Sequence, residues 1–147
     1  MKCLCIITSL PIGGAEKSLL RLIEKSNGDV EYLLISLDRK QALEVFFEKI
    51  GVKVININLE GRLSDLLKLV DVYSILKNWR PDIIYAWMYH AMLFSLFCKL
   101  IFPKIPVVWS VRHNNLDRKL NKLRTIAIAK FLSFVSFIPK KIVYCSD

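Results

Sequence analysis

The chain is short of acid. Its 147 residues carry 13 aspartates and glutamates against 22 lysines and arginines, a net charge of +9. The isoelectric point is about 9.5. A surplus of this size favours an anionic partner: a phosphorylated ligand, a membrane surface or nucleic acid. Long apolar runs are also missing. Lys99 and Lys104 interrupt one hydrophobic stretch and Lys130 another, so neither reaches the roughly 18 unbroken apolar residues of a membrane span. The apolar run after Lys2 is short and meets Pro11, Gly13, Gly14 and Glu16. It reads as a first strand and not as a secretory leader. Histidine is confined to His90 and His113, with no cysteine or carboxylate pattern beside either, so no metal is expected. The four cysteines form no ligand or redox motif. Cys3 and Cys5 lie two apart, on one face of a strand, while Cys98 and Cys145 stand alone. Free buried thiols in a reducing cytosol account for them. Also absent are G-x-G-x-x-G, the P-loop with its Lys-Ser/Thr pair, and a serine nucleophile motif. Basic charge without a recognised reading module excludes nucleic acid from the expected partners. No internal repeat and no low-complexity linker divides the chain.

What is present is a core-forming sequence, 54% hydrophobic, of a length suited to one domain. It is organised around Ser9–Leu22. Before that stretch, Lys2 to Thr8 reads as a buried strand. After it, Leu19, Leu20, Leu22 and Ile23 recur at helical spacing. Gly13 and Gly14 therefore open a strand-to-helix turn. With no Cβ they permit positive φ and close approach of a ligand, and the free N–H groups of the following helix suit phosphate. A plain turn uses glycine in the same way, and spacing does not separate the two.

The periodicity then predicts helix Ala15–Ser26, strand Glu31–Leu37, helix Gln41–Ile50 and strand Val52–Leu59. A helix capped by Ser64 and running to Trp79 leads to strand Ile83–Ala86, then helix Ala91–Phe102 and strand Val107–Val111. Helix Leu116–Phe137 and strand Ile142–Cys145 complete the order. Strict β/α alternation with mostly non-alternating strands implies an α/β fold. It is a Rossmann-like, doubly wound parallel sheet of order 3-2-1-4-5-6, with the third strand at an edge.

Ligands of such sheets bind at the carboxyl ends of the strands. Three predicted loops meet there. The first holds Gly13 and Gly14, the second Tyr89 and His90, and the third Arg112, His113, Asn114 and Asn115. Both histidines of the chain thus fall on one side of the sheet. Arg112 can pair with phosphate and the asparagines can bind sugar hydroxyls. The plainer alternatives are that His90 packs with Tyr89 and that His113 serves loop hydrogen bonds. Helix Leu116–Phe137 starts basic and ends apolar. It fits either an anionic bilayer surface or a helix whose apolar half packs on the sheet.

Four segments carry a resemblance. They are Gly13-Gly14-Ala15-Glu16 with its leucine-rich helix, Arg80 to His90, Val107 to Asn114, and Lys141 to Ser146. In this order they resemble the N-terminal domain of family 4 glycosyltransferases, over nearly the whole chain. The resemblance implies the N-terminal half of a GT-B fold, in which two Rossmann-like domains hold the active site between them. It implies sugar transfer from a nucleotide-sugar donor, as co-substrate, with retention and without an essential metal or other cofactor. Gly13 and Gly14 match the loop that approaches the donor diphosphate. His113 matches the histidine near the reacting sugar, with Arg112 the alternative for that place, and His90 matches a position facing the acceptor.

The family's second domain, with its pair of donor-gripping glutamates, has no counterpart here. The expectation is an acceptor-side half: a fragment, a truncated gene or one subunit of a split enzyme, with little or no activity alone. Its expected setting is cytoplasmic, peripheral on the inner face of the membrane, with a lipid-linked or polysaccharide acceptor. A second reading is a non-enzymatic module that binds a membrane or recruits a separate catalytic subunit. A dinucleotide-binding oxidoreductase ranks last, for want of G-x-G-x-x-G.

Overall fold

The computed structural model describes the chain apart from residues 27, 40, 60–64, 113–122 and 145–147. Six strands alternate with five helices: β1 (Lys2–Ile7), α1 (Gly14–Glu24), β2 (Glu31–Ser36), α2 (Glu44–Lys49), β3 (Lys53–Asn56), α3 (Asp65–Trp79), β4 (Ile83–Trp87), α4 (Tyr89–Ile101), β5 (Val107–Val111), α5 (Leu123–Phe134) and β6 (Lys141–Tyr144). All pairings are parallel, in the order β3-β2-β1-β4-β5-β6. This is the predicted doubly wound sheet.

The strands are buried because helices cover both faces. Leu4, Ile6, Ile35, Ile84, Ala86 and Trp109 point to the face packed by α3, α4 and α5. Cys3, Cys5, Ile7, Leu34 and Trp87 point to the face packed by α1 and α2. Runs such as Cys3–Ile7, buried without alternation, are what two covered faces require. Strand β3 is only partly buried, as an edge strand should be. One buried polar chain between α4 and the sheet is fully paired: Trp109 Nε1 donates to Ser95 Oγ at 2.9 Å, and that hydroxyl donates to the Met92 carbonyl at 2.6 Å. Cys3 and Cys5 do share a face, their Sγ atoms 3.9 Å apart. Cys3, Cys5 and Cys98 are buried and unpaired, whereas Cys145 lies outside the described residues.

The departures from the predicted boundaries have local causes. Helix α2 begins at Glu44 and not Gln41, because Leu43 N–H is drawn to the Leu10 carbonyl (2.9 Å) and the Gln41 side chain to Ser36 Oγ (2.9 Å). Gly51 ends it at φ +81°, a conformation that costs glycine nothing. Strand β3 stops at Asn56, with Asn58 at φ +48°. Helix α4 starts two residues early, at Tyr89, so Tyr89 and His90 form its first turn and not a loop. Helix α5 is described from Leu123 to Phe134, against the predicted Leu116–Phe137. Its C-terminal end unwinds into turns before Pro139, with Ile138 N–H on the Val135 carbonyl. Residues up to 122, and the cap expected at Ser64, lie outside the described residues.

Candidate functional site

Strand order reverses between β1 and β4, and both strands end at one edge, with Ile7 opposite Trp87. From β1 the chain passes through Thr8–Ile12 to Gly13, the N-cap of α1. Gly13 has φ −137° and ψ 173°, extended backbone open to any residue. Neither Gly13 nor Gly14 is at positive φ, so conformational freedom is not why glycine stands here. At Gly13 a Cβ would meet Glu16 Oε2, so a side chain there would push that carboxylate aside. At Gly14 a Cβ would meet nothing within 4 Å among the described residues, which leaves that side of the turn open to an incoming group.

The first helical bond runs from Lys17 N–H to the Gly13 carbonyl (3.1 Å). The N–H groups of Gly14, Ala15 and Glu16 therefore precede the helical ladder and have no acceptor within it. Glu16, 4% exposed, folds its carboxylate back over Gly13. It places a negative charge on the positive end of α1, and any anion at this turn must share that end with it. Sequence reasoning quoted Glu16 only as part of a motif. Its position at the third residue of the helix was the available signal.

The loop after β5 supplies the cation. Arg112 Nε donates to Ser110 Oγ at 2.9 Å, and its guanidinium lies 4.5 Å from the centre of the Trp87 ring. Trp87 is fully buried, and its Nε1 has no partner among the described residues. Thr8 Oγ1, one residue beyond β1, is likewise buried without a partner. Unmet buried polar atoms are few in native proteins. Gln41 Oε1, Asn56 Oδ1 and Asn58 Oδ1 are also buried without a partner among the described residues, but Trp87 Nε1 and Thr8 Oγ1 fall together, on adjoining strand ends at the switch point. Met88, just past Trp87, adopts φ +71°, a strained value for a side chain of its size. Trp87, Thr8 and Met88 were not singled out from the sequence. A buried tryptophan at a strand end looks like ordinary core until its nitrogen is found unpaired.

His90 is half-buried in the first turn of α4. Burial, then the nearby Arg124 charge, lowers its pKa below the usual imidazole value, so it is neutral at physiological pH. It faces the start of α5. Between α4, α5 and the ends of β5 and β6 lies a cavity of about 210 Å³, lined by Tyr89, Met92, Trp109, Val111, Leu132 and Tyr144 among others. Its lining is mostly apolar. Tyr89, held above its ordinary phenol pKa by burial and then by Tyr144, stands at its rim.

Of the residues proposed from sequence, the structure places Gly13, Gly14, His90 and Arg112 at one edge of the sheet. His113 and Asn114 lie outside the described residues. Among the described residues no group of histidine, cysteine, aspartate and glutamate is arranged to hold a metal ion.

No protein-family model matches the sequence, and no curated protein is similar to it. Solved structures are similar in fold. HepE of Anabaena, in complex with UDP, superposes with a TM-score of 0.69 at 18% identity, over 97% of this chain and 37% of that one. MurG of Acinetobacter baumannii gives 0.63 at 12%, over 100% of this chain and 42% of that one. dTDP-glucose 4,6-dehydratase of Bacillus anthracis, in complex with NAD, gives 0.59 at 10%, over 100% of this chain and 55% of that one. The chain thus spans well under half the length of HepE and of MurG. At these identities the likeness shows the fold alone: a Rossmann-like α/β domain of the kind from which each half of a GT-B glycosyltransferase is built.

Proposed function

We propose that the chain is the acceptor-side, N-terminal half of a retaining glycosyltransferase related to family 4. It works with a nucleotide-sugar donor on a lipid-linked or polysaccharide acceptor in cell-surface glycan synthesis. The observation that carries this is the switch-point edge. There the open side of Gly14, the leading N–H groups of α1 and the Trp87-backed guanidinium of Arg112 suit a diphosphate. HepE, similar in fold, is also solved with UDP-glucose. The fold is shared with an NAD-bound dehydratase too, so the fold does not choose the ligand. The glycine turn supports a nucleotide sugar over a dinucleotide, because it lacks the third glycine that a pyrophosphate-binding dinucleotide turn uses.

In this reading the α1 amides and Arg112 stabilise the charge that develops on the departing diphosphate. His113 holds a hydroxyl of the reacting sugar, Asn114 binds sugar hydroxyls, and neutral His90 faces the acceptor. No metal takes part. Donor binding is completed by a second domain, on the same polypeptide or a separate one, and the 147-residue chain alone turns over little or no substrate.

Titration of the chain with UDP, GDP and NAD, followed by thermal shift, tests this. A shift with a nucleoside diphosphate that Arg112→Ala removes supports it. An equal or larger shift with NAD overturns it. Transferase turnover by the chain alone overturns the half-enzyme reading while keeping the chemistry. A non-enzymatic, membrane- or partner-recruiting module is the second reading, favoured by the exposed apolar face of α5.

A further inference from the structure

A helix that packs on a sheet normally shows a polar outer face. Helix α5 does not. Its inner stripe, Ile126, Ala129 and Leu132, is buried. On the opposite side Leu123 is 74% exposed, Phe131 49% and Phe134 81%, with Ala127 exposed between them. At helical spacing these four fall within an arc of about 80°. Arg124 borders the arc on one side and Lys130 on the other, both exposed. Phe137, 79% exposed, continues the apolar line past the helix end towards exposed Lys140 and Lys141.

Charge follows the same half of the fold. Residues 1–82 hold twelve basic and eleven acidic residues, a net +1, whereas residues 83–147 hold ten and two, a net +8. Between Asp82 and Asp147 the only acid is Asp117. All but one charge of the surplus therefore sits in the part of the sequence that carries α4, β5, α5 and β6.

We infer that the outer face of α5 docks on an anionic lipid bilayer, lying in the plane of the interface. Leu123, Phe131, Phe134 and Phe137 enter the acyl boundary, and Arg124, Lys130 and Lys140 meet the headgroups. Aromatic and leucine side chains bordered by cations, on a helix that cannot span, are the chemistry of such a surface. A protein partner suited to the apolar arc alone would not call for the exposed cations Arg124, Lys130, Lys140 and Lys141 beside it. Because the stripe runs the length of α5, from the ligand edge to the far edge of the sheet, the bilayer would flank the candidate site. The inference stands apart from the transferase reading, since it rests on a different face.

The test is co-sedimentation of the 147-residue chain with phosphatidylcholine vesicles, with and without phosphatidylglycerol, across a salt series and without nucleotide sugar. Binding to the anionic vesicles that weakens with salt is expected. Phe131→Ser with Phe134→Ser should cut it roughly tenfold or more, as should Arg124→Glu with Lys130→Glu. Circular dichroism melts should be unchanged, because these side chains are exposed. If the phenylalanine pair fails to fold, the charge pair decides. Absence of binding to anionic vesicles at low salt overturns the inference. So does binding that the variants leave intact. A self-associating chain that the phenylalanine variant makes monomeric, with no vesicle binding, overturns it in favour of a second copy as occupant.

Discussion

At the residue scale, Gly14 and His90 offer clean tests. A methyl at Gly14 meets no atom within 4 Å and replaces a poor helix former, so Gly14→Ala should leave stability unchanged or raise it by up to about 1 kcal/mol. If the open side of the turn receives a diphosphate, the same variant should weaken nucleotide binding several-fold. A thermal melt read beside a nucleotide titration separates the two effects. Retained affinity would make this a plain turn. Glu16→Gln removes the carboxylate that competes for the end of α1, and UDP affinity should rise. His90 titrates below its usual value when folded, through burial and then Arg124. The unfolded chain therefore binds the proton more readily. The stability this contributes is present above the ordinary imidazole pKa and is lost as pH falls through the lowered folded value. Melting temperature should accordingly fall from neutral pH to mildly acidic pH more steeply in the native chain than in His90→Gln. Gly13, Gly14, Arg112 and His90 were legible in the sequence as loop and strand-end residues. Thr8 and Trp87 were not, because their significance is an unmet hydrogen bond, and only packed neighbours reveal which bonds are unmet.

At the scale of elements, α5 divides in two. Leu132→Ala opens a void under a buried side chain and should cost about 2–4 kcal/mol, whereas Phe134→Ser should stay within about 0.5 kcal/mol. Denaturant unfolding of both variants measures the contrast, and equal costs would mean that the outer face is buried too. The sequence left two readings of this helix open, packed on the sheet or spread on a bilayer. The structure gives it one face for packing and leaves the other bare. Helix α4 shows the reverse lesson. Its nearly continuous apolar surface fits its burial between the sheet and α5, with Ala91, Met92, Phe94 and Cys98 enclosed. Its start at Tyr89 was missed because Met88, at φ +71°, makes the turn in a single residue.

For the whole molecule, the thiols report on global opening. Burial raises Cys98 to about 12, and Cys5 is raised by its bond to Cys3 and by burial. Alkylation of both, mapped by mass spectrometry, should follow unfolding of the entire sheet and be slow under native conditions. Fast labelling of Cys5 at neutral pH would mean that the β1 core opens locally, and of Cys98 that α4 does.

Fold class, strand order and the shared edge of the glycine turn, His90 and Arg112 all followed from the sequence. Hydrophobic periodicity is a local property, and right-handed crossovers leave a parallel β/α chain few topologies. Tertiary structure alone decided the rest. Glu16 over Gly13, Arg112 on Trp87, the unpaired Nε1 and the bare face of α5 each depend on which distant side chains meet. Contacts between residues far apart in the chain are set by packing, which no local pattern encodes.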